Sequence, residues 1–122
     1  MEPAQLVGRR ACVAPATAVV RLELVFGLSR KGKPDLTQGE WLSFLDAEVT
    51  PRFPKGLTVL SGSGQWRSSS GSLVSEPSRV LLVWIERTPD LDQRIEDVRV
   101  AWKRAHAQES VLRAESSACV SF

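Results

Sequence analysis

A chain of 122 residues with a formal net charge of +2, 43% hydrophobic and 25% charged, has the length of one globular domain. On folding it buries roughly two-thirds of its surface, so neither metal nor dense disulfides are needed to hold a core. The charge is too small to argue for nucleic acid, no apolar run approaches the ~20 residues of a membrane helix, and one histidine with two distant cysteines makes no metal-ligand cluster.

The start, Met1-Glu2-Pro3-Ala4-Gln5, lacks the basic segment and apolar stretch of a signal peptide, and the chain as written is expected to stay in the cytoplasm. Residues 1–16, with Pro3 and Pro15, read as an arm before a single domain spanning 17–122. The first strand follows: Val20, Leu22, Leu24 and Phe26 alternate with Val19, Arg21, Glu23 and Val25, which gives one buried and one open face. The loop from Gly27 to Asp35 breaks it and carries Arg30-Lys31-Gly32-Lys33, a basic cluster expected to be solvated.

Thr37 and Glu40 have capping-box spacing, and Leu36 with Trp41 occupy the staple positions of a helix start. Trp41, Leu42, Leu45 and Val49 form its apolar stripe, and Pro51 is expected to end it at Thr50. After the turn Pro51 to Gly56, Leu57-Thr58-Val59-Leu60 begins a strand in which the Ser/Gly stretch 61–64 suggests a bulge. Gly62-Ser63-Gly64 lacks the third glycine and following helix of a dinucleotide loop. Ser68 to Gly71 makes a hairpin turn into a third strand, Arg79 to Glu86, which is apolar on both faces and expected to be central. A second helix begins near Thr88-Pro89-Asp90, with Leu91, Ile95, Val98, Trp102 and Ala105 on one face and Lys103, Arg104 and His106 near its end. A last strand covers about Ser110 to Val120.

Strand, helix, strand, strand, helix, strand predicts an α+β fold: a ferredoxin-like βαββαβ sandwich, with a four-stranded antiparallel sheet and two helices on one face. The first and third strands are then central, and the fourth lies beside the first.

Several stretches together resemble a known family. They are Glu40-Trp41 with Phe44-Leu45, Thr50-Pro51-Arg52-Phe53-Pro54, Gly56-Leu57-Thr58-Val59, Gly64-Gln65-Trp66-Arg67, Gln108-Glu109-Ser110-Val111-Leu112-Arg113 and Cys119-Val120-Ser121-Phe122. From about Val20 onward the chain resembles the bacterial domain-of-unknown-function family numbered three-five-seven-four. That resemblance implies an export or lipoprotein leader and an extracytoplasmic (periplasmic or secreted) home, while bringing no activity or catalytic residues. No such leader is read in Met1 to Gln5, so the expected home is extracytoplasmic if a leader was removed and cytoplasmic otherwise.

Cys12 precedes the first strand and Cys119 ends the last, so antiparallel neighbours bring both sulfurs to one end of the sheet. A disulfide is then allowed, the alternative being two thiols in a reducing cytoplasm; topology and the resemblance together favour the bond.

No nucleophile with a neighbouring base is visible, and no cofactor is implied. His106 suits a C-terminal helix cation more than a catalytic base. RNA recognition on this topology needs stacking aromatics on the open face. With Leu81, Val83 and Ile85 assigned there, none is expected. The same assignment yields an apolar patch flanked by Arg21, Glu23, Arg113 and Glu115, read as an interface. Trp66, Arg52 and Gln108-Glu109 are the candidates for lining one end of a pocket. The expectation is a non-enzymatic ligand-binding or protein-interaction module, a homodimer through its open sheet face with a small molecule as a further partner. The alternatives are a small enzyme with a groove site using Arg52, Glu23, Arg113 or His106, or a structural envelope protein.

Overall fold

The computed structural model describes residues 11–122. Of the arm expected over 1–16, residues 1–10 lie outside the described residues. The elements are β1 (Thr17–Gly27), α1 (Gln38–Phe44), β2 (Thr58–Arg67), β3 (Leu73–Ile85), α2 (Leu91–His106) and β4 (Leu112–Val120). The sheet order is β2-β3-β1-β4 with every neighbouring pair antiparallel, which is the ferredoxin-like arrangement.

The alternation of β1 sets the sandwich. Leu22, Leu24 and Phe26 are fully buried and meet Trp41 and Phe44 of α1 and Leu91, Ile95, Val98 and Trp102 of α2. Phe26, Trp41, Phe44 and Trp102 form one aromatic cluster, with centroids 4.8 to 6.3 Å apart. Geometry of this kind adds to the area term for burying the rings.

The capping box is formed as expected: Glu40 N–H donates to Thr37 Oγ1 at 3.1 Å, and Thr37 N–H donates to Glu40 Oε1 at 3.0 Å. The buried face of α1 is carried by Trp41 and Phe44, while Leu42 is exposed. The helix does not end at Thr50. A π-helical turn over Leu45–Val49 and a 3-10 turn over Thr50–Arg52 carry it past Pro51, with Thr50 N–H reaching Leu45 O. The wider turn relieves the clash that proline imposes on a regular α-helix.

In β2 the expected bulge is absent: the pairing with β3 runs unbroken from Thr58↔Leu82 to Arg67↔Leu73. Gly62 instead leaves room for a β3 side chain. A Cβ on Gly62 would lie 2.8 Å from Ser78 Oγ.

The parity of β3 corrects the interface expectation. Leu22 faces Val83 and Leu24 faces Leu81, so Leu81 and Val83 are buried on the helix side and Ile85 packs against that core. The open face of β3 carries Val80, Leu82 and Trp84, opposite Val25, Glu23 and Arg21. Arg113 and Glu115 likewise pair with Leu24 and Leu22, which puts them on the helix side.

There Arg113 is clamped. Its Nη2 lies 2.6 Å from Asp92 and 2.8 Å from Glu115, and its Nη1 lies 2.8 Å from Glu96. Arg99 also holds Glu96 at 2.8 Å, and Arg87 holds Asp92 at 3.1 Å. Hydrogen bonds from Arg113 and then Arg87 keep Asp92 below the usual carboxylate range, and Arg99 followed by Arg113 does so for Glu96. A depressed folded pKa contributes stability that is present above the unfolded value and lost as pH falls through the folded one. Urea midpoints should therefore fall as pH drops below about 4.5. That acid limb should be shallower in Arg113→Met; an unchanged limb would show that the network carries no pH-linked stability.

Cys12 and Cys119 are bonded, with Cα atoms 5.5 Å apart, which joins the segment before β1 to the end of its neighbour β4.

Candidate functional site

One end of the open face is cut by a cleft of about 910 Å³. Four separate segments line it: the end of β1 with its loop, the end of β2, the start of β3, and the turn from α2 into β4. The glycines of the sheet make the floor. Glu76 projects from β3 over Gly27, where an added Cβ would meet Oε2 at 2.8 Å. Ser29 N–H donates to the same Oε2 at 3.3 Å. Among the described residues no cation lies within ion-pair distance of Glu76. Ser78, next along this face, is the buried polar residue of the sheet.

The walls differ in chemistry. Trp66 on β2 is 52% exposed and stands across from Val74, presenting an aromatic surface. Arg30, Lys31, Lys33 and Arg104 bring positive charge to the rim. Arg30 is itself held by Pro34 O at 2.9 Å and by Glu40 at 3.5 Å. α2 ends at Ala107 in the left-handed region (φ 51°), which turns the chain so that Gln108 Nε2 donates to Ser29 O at 2.7 Å. That bond ties the α2–β4 turn to the loop after β1 and fixes one wall against another.

His106 stands at the edge of the cleft with its ring 4.4 Å from Trp102 and 6.1 Å from Phe44. Burial lowers its pKa, Glu40 opposes the shift and Arg30 adds to it. Burial thus favours the neutral imidazole, which packs as an aromatic against Trp102.

Of the residues singled out from sequence, Trp66, His106, Gln108 and Glu109 line the cleft. Arg21 and Glu23 are on the open face but pair with each other at 3.2 Å. Arg52 is bound to Glu48 O at 2.8 Å and to the Glu48 carboxylate at 2.9 Å, and it is not among the cleft residues. Arg113 belongs to the helix-side ion cluster. The residues that sequence reasoning missed are Glu76, Ser78 and the glycines beneath them. Gly62 and Gly64, two apart on one strand face, were the available signal. The stacking aromatics withheld by the wrong parity of β3 are present as Trp84 and Trp66, 46% and 52% exposed.

With its helices confined to one side and a cleft cut into the other, the chain is an open-faced ferredoxin-like α+β domain. Residues 21–122 match the family model described as Protein of unknown function (DUF3574), and the chain belongs to that family. No curated protein sequence matches it. Among solved structures, a phage SAM lyase in complex with S-methyl-5'-thioadenosine shares the fold with a TM-score of 0.63 at 15% identity, over 85% of this chain and 90% of that one. A phage SAM lyase in the apo state gives a TM-score of 0.59 at 15% identity, over 86% and 90%. At that identity the likeness is one of fold.

Among the described residues no helix is long and apolar enough to cross a membrane, and no group of three or more His, Cys, Asp and Glu is placed to hold a metal ion.

Proposed function

We propose that this protein is a small-molecule-binding domain whose cleft takes a nucleoside-sized ligand. The observation that carries the reading is Glu76: a carboxylate with no cation beside it among the described residues, held over a glycine floor and facing a cleft. Such a group accepts hydrogen bonds from neighbouring hydroxyls, as acidic residues do from ribose in dinucleotide sites. Trp66 offers a face on which a planar base stacks, and the basic rim favours electron-rich groups. Support also comes from the phage SAM lyase of like fold, which is solved with a nucleoside, S-methyl-5'-thioadenosine.

The test is calorimetric titration with S-methyl-5'-thioadenosine, adenosine and S-adenosylmethionine. Binding of at least one is expected in the wild type. A hydrogen bond to a charged group contributes about 1.5–3 kcal/mol, so Glu76→Gln should weaken binding by roughly 10- to 100-fold. Gly27→Ala, whose Cβ displaces the carboxylate, should act in the same direction. No heat from any of the three up to millimolar concentration, or binding indifferent to Glu76→Gln, would sink the assignment.

The same carboxylate also favours a second reading, in which the cleft is catalytic. An unpaired carboxylate in a cleft is a candidate general base, and the proteins of like fold are lyases. Chromatography of S-adenosylmethionine after incubation separates the two readings: turnover abolished by Glu76→Gln makes the protein an enzyme, and binding without turnover leaves it a binding module.

A further inference from the structure

The open face is organised in rows across the sheet, the last of which borders the cleft through Val25 and Leu112. One row runs Ser116, Arg21, Trp84, and the next runs Ala114, Glu23, Leu82, Thr58. A third runs Leu112, Val25, Val80, Leu60. Trp84, Leu60 and Leu112 are 46%, 49% and 56% exposed. A face this apolar on two central strands, with helices already covering the opposite side, is uncommon on a lone domain. It carries only two charges in these rows, Arg21 and Glu23, and they compensate each other at 3.2 Å. Covering it therefore strands no unpaired charge, which is the costly outcome of burying ionic groups.

We infer that this face binds a second copy of the chain, in a twofold dimer whose axis lies parallel to the sheets and perpendicular to β1. The row pattern selects both the partner and the axis. A twofold of that direction, passing level with Leu22, keeps each strand over its own copy and exchanges the two rows. Arg21 then faces the Glu23 of the second copy, Trp84 faces its Leu82, and Ser116 faces its Ala114. The positive, aromatic and small residues of one row meet the negative, aliphatic and small residues of the other. A twofold running along β1 would instead stack Arg21 on Arg21 and Glu23 on Glu23, which like-charge repulsion forbids. The small side chains Ala114, Ser116 and Ala118 on β4 let the sheets approach to the usual ~10 Å. Self-complementarity of one patch under a single axis is the requirement of an isologous dimer. The rows of Arg21 and Glu23, which set the axis, are not among the residues lining the cleft, so this inference does not rest on the ligand.

Sedimentation velocity across a concentration series, from low micromolar to near-millimolar, tests it with three variants. Wild type is expected to dimerise. Arg21→Glu and Glu23→Arg each put four like charges at the centre and should weaken the dimer at least 10-fold. The double swap, Arg21→Glu with Glu23→Arg, restores alternating charge under the same axis and should recover the dimer. Both positions are exposed or half-buried, and circular dichroism shows whether each variant folds. A wild type that stays monomeric throughout overturns the proposal. So does a dimer insensitive to either reversal, or a double swap no better than the single changes.

Discussion

Reduction of the Cys12–Cys119 bridge is expected to lower the unfolding free energy by roughly 4 kcal/mol, a large part of the 5–15 kcal/mol that holds a domain of this size. The bridge spans a sequence separation of 107, so it encloses nearly the whole domain. In the chain-entropy treatment, a loop of about 100 residues contributes about 4.7 kcal/mol by restricting the unfolded chain. Little of that comes from native contacts. β4 is already paired with β1 from Thr17↔Val120 to Val25↔Leu112, and the core is built without Cys119, which is exposed. The reduced protein should therefore keep its fold and its secondary structure while its midpoint drops on the order of 20 °C. Thermal and urea unfolding with and without reductant measure this, with Cys12→Ser/Cys119→Ser as the reagent-free control. A shift below about 1 kcal/mol would mean that the denatured chain is already compact enough for the cross-link to remove little entropy. The stabilisation exists only where the bond forms, in an oxidising environment.

How much of this was legible beforehand depended on whether the signal was local. The capping box at Thr37 and Glu40, the α2 face from Leu91 to Trp102, and the alternation of β1 are all written in neighbouring residues, and each was read correctly. The element order then led to the sheet order and to the cysteine pair. β3 defeated the reading for a physical reason. Val80 to Ile85 is apolar at every position, so alternation carries no information about which residues face the helices; the register with β1 decides it, and that is a tertiary property. The π-turn before Pro51 is likewise a compromise between local proline geometry and the burial of Val49 and Phe53. The cleft was the least visible feature. Trp66 and Gln108-Glu109 are expected at the end of a pocket, but Glu76 and Gly27 come from two further segments, and no spacing in the sequence announces that they join them.

The other large effect is expected at Trp102. Its side chain is fully buried, with the rings of Phe26, Phe44 and His106 at 5.1, 4.8 and 4.4 Å, so it joins β1, α1 and the end of α2 in one contact set. Trp102→Ala removes the indole and leaves a cavity among groups that are themselves immobilised, which costs about 3–5 kcal/mol. That is a large fraction of the roughly 5–15 kcal/mol that holds a domain of this size. Trp102→Phe makes the argument sharper. Nε1 of Trp102 is buried and finds no hydrogen-bond acceptor among the described residues. An unsatisfied buried donor costs roughly 1–3 kcal/mol, and phenylalanine removes that donor while keeping an aromatic ring. The gain offsets part of the lost packing, so Trp102→Phe should cost under about 1.5 kcal/mol, well below the alanine change. Urea unfolding of the two variants reads the difference directly. Equal losses would show that the whole indole volume, rather than the balance of packing against an unpaired N–H, determines the stability of this core.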